Sequence, residues 1–178
     1  MAGDGDTIAA VATPAGAGAI GVIRVSGAGA HGVVRALAPG LPHPLPERRA
    51  LVARLRWSGA LLDESLVLAF HGPHSFTGED VVELQCHGGP ATMRRVLAAV
   101  LEAGARPAEP GEFTRRALLA GRLDLVQAEA IATLVQAESD AAQAMALQHL
   151  EGALSRELGE LRDALTELVV LVEAETVR

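Results

Sequence analysis

The sequence contains no lysine and no tyrosine, and it has one cysteine and one tryptophan among its 178 residues. Without lysine there can be no G-x-x-x-x-G-K-S/T phosphate-binding loop and no Schiff-base lysine. We therefore expect that this chain does not hydrolyse nucleoside triphosphates by the P-loop route. A single cysteine excludes an internal disulfide, which agrees with a cytosolic protein.

Long apolar runs and a signal peptide are also missing. The opening residues MAGDGDT lack the basic and apolar parts of a signal peptide, and no run is long enough to cross a membrane. We expect a cytoplasmic location without membrane contact. Hydrophobic residues make up 49% of the chain but aromatic residues only 2%, so the core must be built from Ala, Val, Leu and Ile.

The charge is distributed unevenly. Residues 1–119 hold 11 acidic and 11 arginine side chains, whereas residues 120–178 hold 11 acidic side chains and 4 arginines, which accounts for the whole net charge of −7. An acidic second part repels a phosphate backbone. We therefore do not expect this half to bind nucleic acid by itself.

The hydrophobic pattern predicts an α+β protein with a mixed sheet, followed by long helices. Predicted strands cover 6–12, 20–26, 50–56, 65–70 and 81–86, with a weaker one near 105–108. Predicted helices cover 29–38, Pro90–Ala103 and Glu112–Ala120. The pattern changes near residue 120, so we expect an N-terminal domain over 1–119 and a helical domain over 120–178.

The second part begins with a helix-start signal. Asp124 followed by Gln127 resembles a capping box and predicts a helix reaching about Glu138. Ser139 or Asp140 then caps a second helix. Leucines recurring at spacings of three and four up to Val172 predict that this second helix is one long amphipathic helix.

A glycine motif near the N-terminus raises the possibility of a dinucleotide site. Gly16, Gly18 and Gly21 spell G-x-G-x-x-G, which needs a preceding strand and a following helix. The stretch after Gly21, Val22–Ser26, is typical of a strand instead. We therefore favour glycines that let the backbone turn between two strands or let a ligand approach it closely.

Two charged residues stand inside predicted strands. Arg24 and Glu83 each lie between apolar neighbours and so point to the opposite face of their strands. Arg24 is either a solvent-exposed edge residue or a clamp for an anion. Glu83 either faces solvent or, if covered, needs a partner, because an unpaired buried carboxylate is costly.

Other reactive side chains do not form a recognisable site. Cys86 and His87 are adjacent in a predicted strand and point opposite ways, so we interpret Cys86 as structural. His71 and His74 have no second cluster that would complete a metal site, and we predict none.

Three segments, in this order, resemble one family. The first runs from Asp6 through Thr13-Pro14 to Val22-Ile23-Arg24-Val25-Ser26-Gly27. The second is Ser75-Phe76-Thr77-Gly78-Glu79-Asp80 with His87-Gly88-Gly89-Pro90. The third is Pro110-Gly111-Glu112-Phe113-Thr114 with Leu123-Asp124-Leu125 and Gln127-Ala128-Glu129-Ala130-Ile131. From about residue 5 to 175 the chain is similar to the tRNA-modification GTPase family MnmE (TrmE).

The resemblance implies a fold and an activity. In this family the N-terminal domain resembles the tetrahydrofolate-binding domain of aminomethyltransferases and forms a homodimer, and a helical domain with an inserted GTPase domain follows. With a flavin-dependent partner protein of the MnmG (GidA) type, the enzyme modifies C5 of the wobble uridine in tRNA. A one-carbon folate, 5-formyl- or methylene-tetrahydrofolate, is the expected cofactor; GTP, magnesium and potassium bind the full-length protein.

The resemblance also places functional residues. The folate contacts of the family fall on Arg24, Glu83 and Arg122, and no catalytic residue falls in this chain. A carboxylate such as Glu83 can accept two N–H groups from a pterin, and either arginine can pair with the glutamate tail. Arg122 stands where the family usually has lysine, which keeps the charge but not the geometry.

Further departures leave two hypotheses open. Ala17 stands where the family usually has arginine, and Cys86 where it usually has glycine. The GTPase domain and the C-terminal cysteine-containing tail of the family are not in this sequence, so we expect the N-terminal part of a longer protein that does not hydrolyse GTP by itself. This part is either a folate-binding dimerisation module or a purely structural dimerisation domain.

Overall fold

The computed structural model describes residues 5–176, which form an α+β protein with twelve elements. In chain order they are β1 (Ile8–Val11), β2 (Ile20–Ser26), α1 (Ala30–Leu37), β3 (Leu51–Trp57), β4 (Ala60–Phe70), β5 (Val81–His87), α2 (Pro90–Glu102), β6 (Arg106–Pro107), α3 (Glu112–Leu119), α4 (Leu125–Gln136), α5 (Asp140–Leu150) and α6 (Ala153–Thr176). Contacts divide the chain into one unit ending at Arg122 and another beginning at Leu123. The predicted α+β class is confirmed.

The first unit is built on a six-stranded mixed sheet in the order β3-β4-β5-β2-β1-β6. Every neighbouring pair is antiparallel except β1 and β6, which are parallel. Helices α1 and α2 pack on one face of this sheet. The alternation of strand residues therefore sends one set of side chains into an apolar core and the other set to the opposite face.

The core is made of small aliphatic side chains, as the scarcity of aromatics requires. Buried members from the sheet include Ile23, Val25, Val82 and Leu84. The helices contribute Val33, Val34, Leu37, Val96 and Val100. Helices α1 and α2 cover the core-facing side chains of the strands. The polar side chains at the alternate positions lie on the opposite face, where they can form a site.

The prediction for the fourth strand is too short. Strand β4 begins at Ala60, five residues before the predicted start at 65, because Ser58 and Gly59 form a tight turn that pairs β3 with β4. A Ser-Gly dipeptide between two strand-like runs is a hairpin signal.

The glycine motif is confirmed as a strand connection: Gly16 and Gly18 lie between β1 and β2, and Gly21 lies within β2.

The second unit consists of α4, α5 and α6, which contact one another. Helix α4 starts with the predicted capping box, in which Asp124 accepts from the Gln127 backbone and the Gln127 side chain accepts from the Asp124 backbone. Ser139 caps α5. Among residues 5–176, no helix combines the length and hydropathy needed to cross a membrane.

The prediction of one long helix from residue 139 to 172 is wrong. The chain forms α5 and α6 instead, with Glu151 and Gly152 between them. Gly152 has a φ of +81°, a left-handed conformation that glycine adopts without the steric cost of a side chain. The spacing of the leucines continues across this break, so it could not reveal it.

Gly152 offers a direct test of the break. We expect Gly152→Ala to lower the free energy of unfolding by about 1 kcal/mol or more, because alanine is strained at a positive φ. As a matched control, Gly159→Ala lies inside α6 with open space around the added carbon and should raise stability by roughly 0.5–1 kcal/mol. Urea unfolding followed by circular dichroism measures both; a Gly152→Ala variant as stable as the parent would contradict the left-handed break.

Candidate functional site

The predicted residues Arg24 and Glu83 meet on the sheet face opposite α1 and α2. They lie directly opposite each other on the neighbouring strands β2 and β5. One carboxylate oxygen of Glu83, Oε1, accepts hydrogen bonds from Arg24 Nε at 3.0 Å and from Nη2 at 2.7 Å. Both side chains are half-buried, with 27% of Arg24 and 16% of Glu83 exposed. The partner that a covered Glu83 requires is therefore Arg24.

Two aromatic rings lie close to the arginine of this ion pair. The guanidinium carbon of Arg24 lies 5.3 Å from the ring centroid of Phe76 and 5.7 Å from that of Phe113. Phe76 belongs to the segment between β4 and β5, and Phe113 is the second residue of α3. Distances below about 6 Å are those of cation–π contacts, which hold the guanidinium in place.

Arg122 joins the same group through the segment that carries Phe76. Its Nε donates a hydrogen bond to the Ser75 carbonyl at 3.1 Å. The segments approach closely because Gly78 has no side chain: a Cβ there would lie 2.9 Å from the Cβ of Ala120. The three residues predicted to contact folate therefore lie around Ser75 and Phe76.

Part of the hydrogen-bonding capacity of these residues is free within the described chain. There, no hydrogen bond reaches the second carboxylate oxygen of Glu83 or the terminal nitrogens of Arg122. Such a site can accept N–H groups at Glu83, pair a carboxylate at Arg122 and stack a planar ring on an aromatic side chain.

A cluster of ion pairs lies beside the site, and we call it the carboxylate–arginine cluster. It consists of Asp6, Glu79, Arg106, Glu112 and Arg116. Glu112 is its most buried member, with 1% of its side chain exposed, and accepts from Arg106 Nη2 at 2.6 Å and Nη1 at 2.8 Å. Arg106 also pairs with Asp6.

Sequence reasoning missed the roles of this cluster and of the two aromatic residues. Glu79, Glu112 and Arg116 stand within motif segments, but their ordinary interpretation is a helix cap or an exposed charge. The available signal was indirect: two of the three phenylalanines in the chain, Phe76 and Phe113, fall inside these segments.

The cluster strongly favours the charged form of Glu112. Hydrogen bonds from Arg106 lower the pKa of the Glu112 carboxyl to about 2, against the opposing effect of burial, and the Glu109 backbone N–H adds a further hydrogen bond at 2.8 Å. The same arginine lowers the pKa of the Asp6 carboxyl. The folded protein therefore depends on ionised carboxylates at this point.

The remaining sequence candidates are not part of this site. Cys86 is buried on the core face, and burial raises the pKa of its thiol, as expected for a structural cysteine. His71 contacts the Leu45 carbonyl at 2.9 Å. In the described part of the chain, no group of three His, Cys, Asp or Glu side chains could hold a metal ion.

A cavity of about 640 Å³ lies elsewhere in the first unit. It is bounded by the glycine-rich connection between β1 and β2 and by α2, and its lining includes Met93, Arg94 and Leu97. None of Arg24, Glu83 and Arg122 lines it. The predicted site is thus a partly open surface of the sheet, not this cavity.

The low pKa of Glu112 makes stability depend on pH in a defined direction. The stabilisation is fully present above the ordinary carboxyl pKa of 4.5 and disappears as the pH falls towards 2. We expect Glu112→Gln to lower the free energy of unfolding by roughly 3 kcal/mol at neutral pH. The difference in the free energy of unfolding between this variant and the parent should shrink as the pH falls from 4.5 towards 2.

Denaturant unfolding at several pH values measures this dependence. The control is Glu109→Gln, because Glu109 is 63% exposed and pairs only at 3.6 Å with Arg115. This variant should stay within about 0.5 kcal/mol of the parent. If the free energies of unfolding of Glu112→Gln and the parent differ by the same amount at every pH, the assigned pKa of Glu112 is wrong.

Comparison with known proteins agrees with the division of the chain into two units. The family model described as GTP-binding protein TrmE N-terminus matches residues 7–122, and the MnmE helical domain matches residues 125–176. The two matches correspond to the two structural units. The sequence resemblance stated above is therefore confirmed over most of the chain.

Curated relatives give the same result. The chain is 52% identical over 175 residues to the tRNA modification GTPase MnmE of Symbiobacterium thermophilum, covering 96% of this chain and 38% of the relative. It is 54% identical over 170 residues to that of Azoarcus sp., covering 95% of this chain and 37% of the relative. The chain spans little more than a third of the length of these relatives. It belongs to the tRNA modification GTPase MnmE (TrmE) family and comprises an N-terminal and a helical domain of that family.

Proposed function

We propose that this chain is the folate-binding, dimer-forming part of a tRNA modification GTPase. The observation that carries the proposal is the Arg24–Glu83 ion pair on the sheet face opposite α1 and α2, beside Phe76 and Phe113. A half-buried carboxylate with a free oxygen beside two aromatic rings is suited to a flat heterocycle with N–H groups. Arg122 adds a positive charge close by.

The donor set fits a tetrahydrofolate. The pterin ring presents an amide N–H beside an exocyclic amine, and Glu83 can accept from both. Arg24 orients Glu83 through its two hydrogen bonds, so we assign the glutamate tail to Arg122. When bound, 5-formyl- or methylene-tetrahydrofolate would supply the one-carbon unit; the residues of this chain bind and orient it.

The rest of the activity is proposed for the full-length protein. GTP, with magnesium and potassium, would bind a GTPase domain outside this chain, which has no lysine for a P-loop. A flavin-dependent partner of the MnmG (GidA) type would act with it on C5 of the wobble uridine of tRNA. Relatives named tRNA modification GTPase support the GTPase activity and the tRNA substrate, and with these we propose a cytoplasmic location.

A homodimer is proposed on the apolar surface of the sheet edge. Val52 of β3 and Leu66 of β4 lie directly opposite each other with 69% and 40% of their surfaces exposed, and Leu61 is 48% exposed. A second copy would remove this surface from water. The same observation favours the second candidate function, a structural dimerisation domain without folate, so ligand binding must separate the two.

Folate titration of a Glu83 variant tests the proposed ligand. We expect Glu83→Gln to weaken binding of 5-formyltetrahydrofolate by about 2 kcal/mol, because a donor would then face a donor of the pterin. Arg24→Ala should also weaken binding, since it removes the residue that orients Glu83. Calorimetry measures both affinities.

The sheet offers a matched control for this experiment. Glu64 also pairs with an arginine directly opposite on the neighbouring strand, Arg54, at 3.0 Å, but it is 54% exposed and lies outside the site. Glu64→Gln should bind folate as the parent does. Unchanged affinity of a folded Glu83→Gln variant would exclude the pterin contact and favour the structural dimerisation domain.

The oligomeric state can be tested separately. We expect light scattering to show a dimer at micromolar concentration and a monomer for the double variant Val52→Glu/Leu66→Glu, because charges would replace the apolar pair. Val135→Glu, an 81% exposed position of α4, is the control and should remain dimeric. A monodisperse monomer of the parent would contradict the proposal.

A further inference from the structure

We propose that Arg116 is a positioning residue for the ligand site, which it controls by holding Phe76 and Phe113 within cation–π distance of Arg24. This inference rests on the proposed folate site for its functional meaning, but its structural part stands on the contacts of Arg116 itself. Arg116 is largely buried, with 12% of its side chain exposed, and does not belong to the predicted ligand contacts.

One set of contacts joins Arg116 to the segment that carries Phe76. Its Nη1 donates to both carboxylate oxygens of Glu79, at 3.0 and 3.1 Å. Glu79 lies three residues after Phe76, and its carboxylate also accepts from the buried Ser26 hydroxyl at 2.8 Å. The backbone carbonyl of Glu79 accepts from the Ser75 hydroxyl. The segment that carries Phe76 is therefore held to β2 and to Arg116 by the hydrogen bonds of Glu79.

A second set of contacts lies at the start of α3, the helix that carries both Phe113 and Arg116 itself. Its Nη2 donates to Glu112 at 3.1 Å, and Glu112 directly precedes Phe113 at the start of α3. The same nitrogen donates to Asp6 Oδ1 at 2.5 Å, and Nη1 donates to the Asp6 carbonyl at 2.9 Å. Arg116 thus links α3 with the chain just before β1.

The two sets of contacts together fix the distance between the rings of Phe76 and Phe113. Phe76 and Phe113 are 37 positions apart in the sequence, and Arg116 donates to Glu79 and Glu112, the carboxylates that stand beside them. A planar guanidinium can bridge several carboxylates in a fixed geometry, which a single ammonium group cannot. Removing Arg116 leaves Glu112 paired with Arg106, so the fold is expected to remain while the distance between the rings changes.

Fluorine NMR can observe the rings directly, because the chain has three phenylalanines, Phe70, Phe76 and Phe113. Incorporation of 4-fluorophenylalanine gives one resonance for each, assigned by replacing each phenylalanine with leucine in turn. In Arg116→Leu we expect the resonances of Phe76 and Phe113 to shift and that of Phe70, in β4, to stay. The dissociation constant for 5-formyltetrahydrofolate should rise roughly tenfold.

The control is Arg115→Leu on the same helix. Arg115 is 54% exposed, and its ion pairs with Glu109 and Glu112 are longer, at 3.6 and 3.7 Å. This variant should keep the Phe76 resonance and a folate affinity within about twofold of the parent. A folded Arg116→Leu protein with Phe76 and Phe113 unshifted would overturn the proposal.

If Arg116→Leu fails to fold and all three resonances move, a second variant tests the positioning role of Arg116. Glu79→Ala removes the contacts of Glu79 with Arg116 and with Ser26 but keeps those of Arg116 with Glu112 and Asp6, so Phe76 should shift while Phe113 and Phe70 stay. An unshifted Phe76 in this variant would refute the positioning role. If the parent protein does not bind folate, the proposed function is wrong, while the resonances still decide whether Arg116 places the two rings.

Discussion

The first unit depends on the buried carboxylate of Glu112, which is stable only because arginines surround it. Glu112 is 1% exposed, and a buried charge without partners would shift its pKa upwards or destabilise the fold. Arg106 and Arg116 prevent this by direct hydrogen bonds, which lower the pKa instead. Through these arginines the N-terminal segment, the Glu79 segment and α3 are held together at one end of the sheet.

The sheet adds a second constraint, because its two faces have different environments. Helices α1 and α2 cover one face with aliphatic contacts, and that face accounts for most of the core. On the other face Arg24 and Glu83 are half-buried, and two aromatic rings lie close to Arg24. Partial burial strengthens their hydrogen bonds relative to those of an exposed pair, while still leaving polar atoms that a ligand can reach. The fold therefore both forms the ion pair and leaves it accessible.

Local signals in the sequence predicted most elements. The Asp124–Gln127 capping box, the proline at the start of α2 and the alternation of β2 and β5 all depend on residues a few positions apart. The same kind of reasoning failed at residues 139–172, where regular leucine spacing predicted one helix and the structure has two. A single left-handed glycine ends α5 without disturbing the apolar pattern, so periodicity could not detect it.

The sequence by itself determined the class of fold, the family and the face of the strand on which Arg24 and Glu83 each lie, because these follow from spacing and motifs. Only the tertiary structure decided that these two residues pair with each other, since they are 59 positions apart and the register of β2 on β5 brings them together. It also decided that Phe76 and Phe113 lie beside Arg24 and that Arg116 pairs with Glu79 and Glu112. Such contacts depend on how the whole sheet, its connections and α3 pack, and no local pattern records that packing.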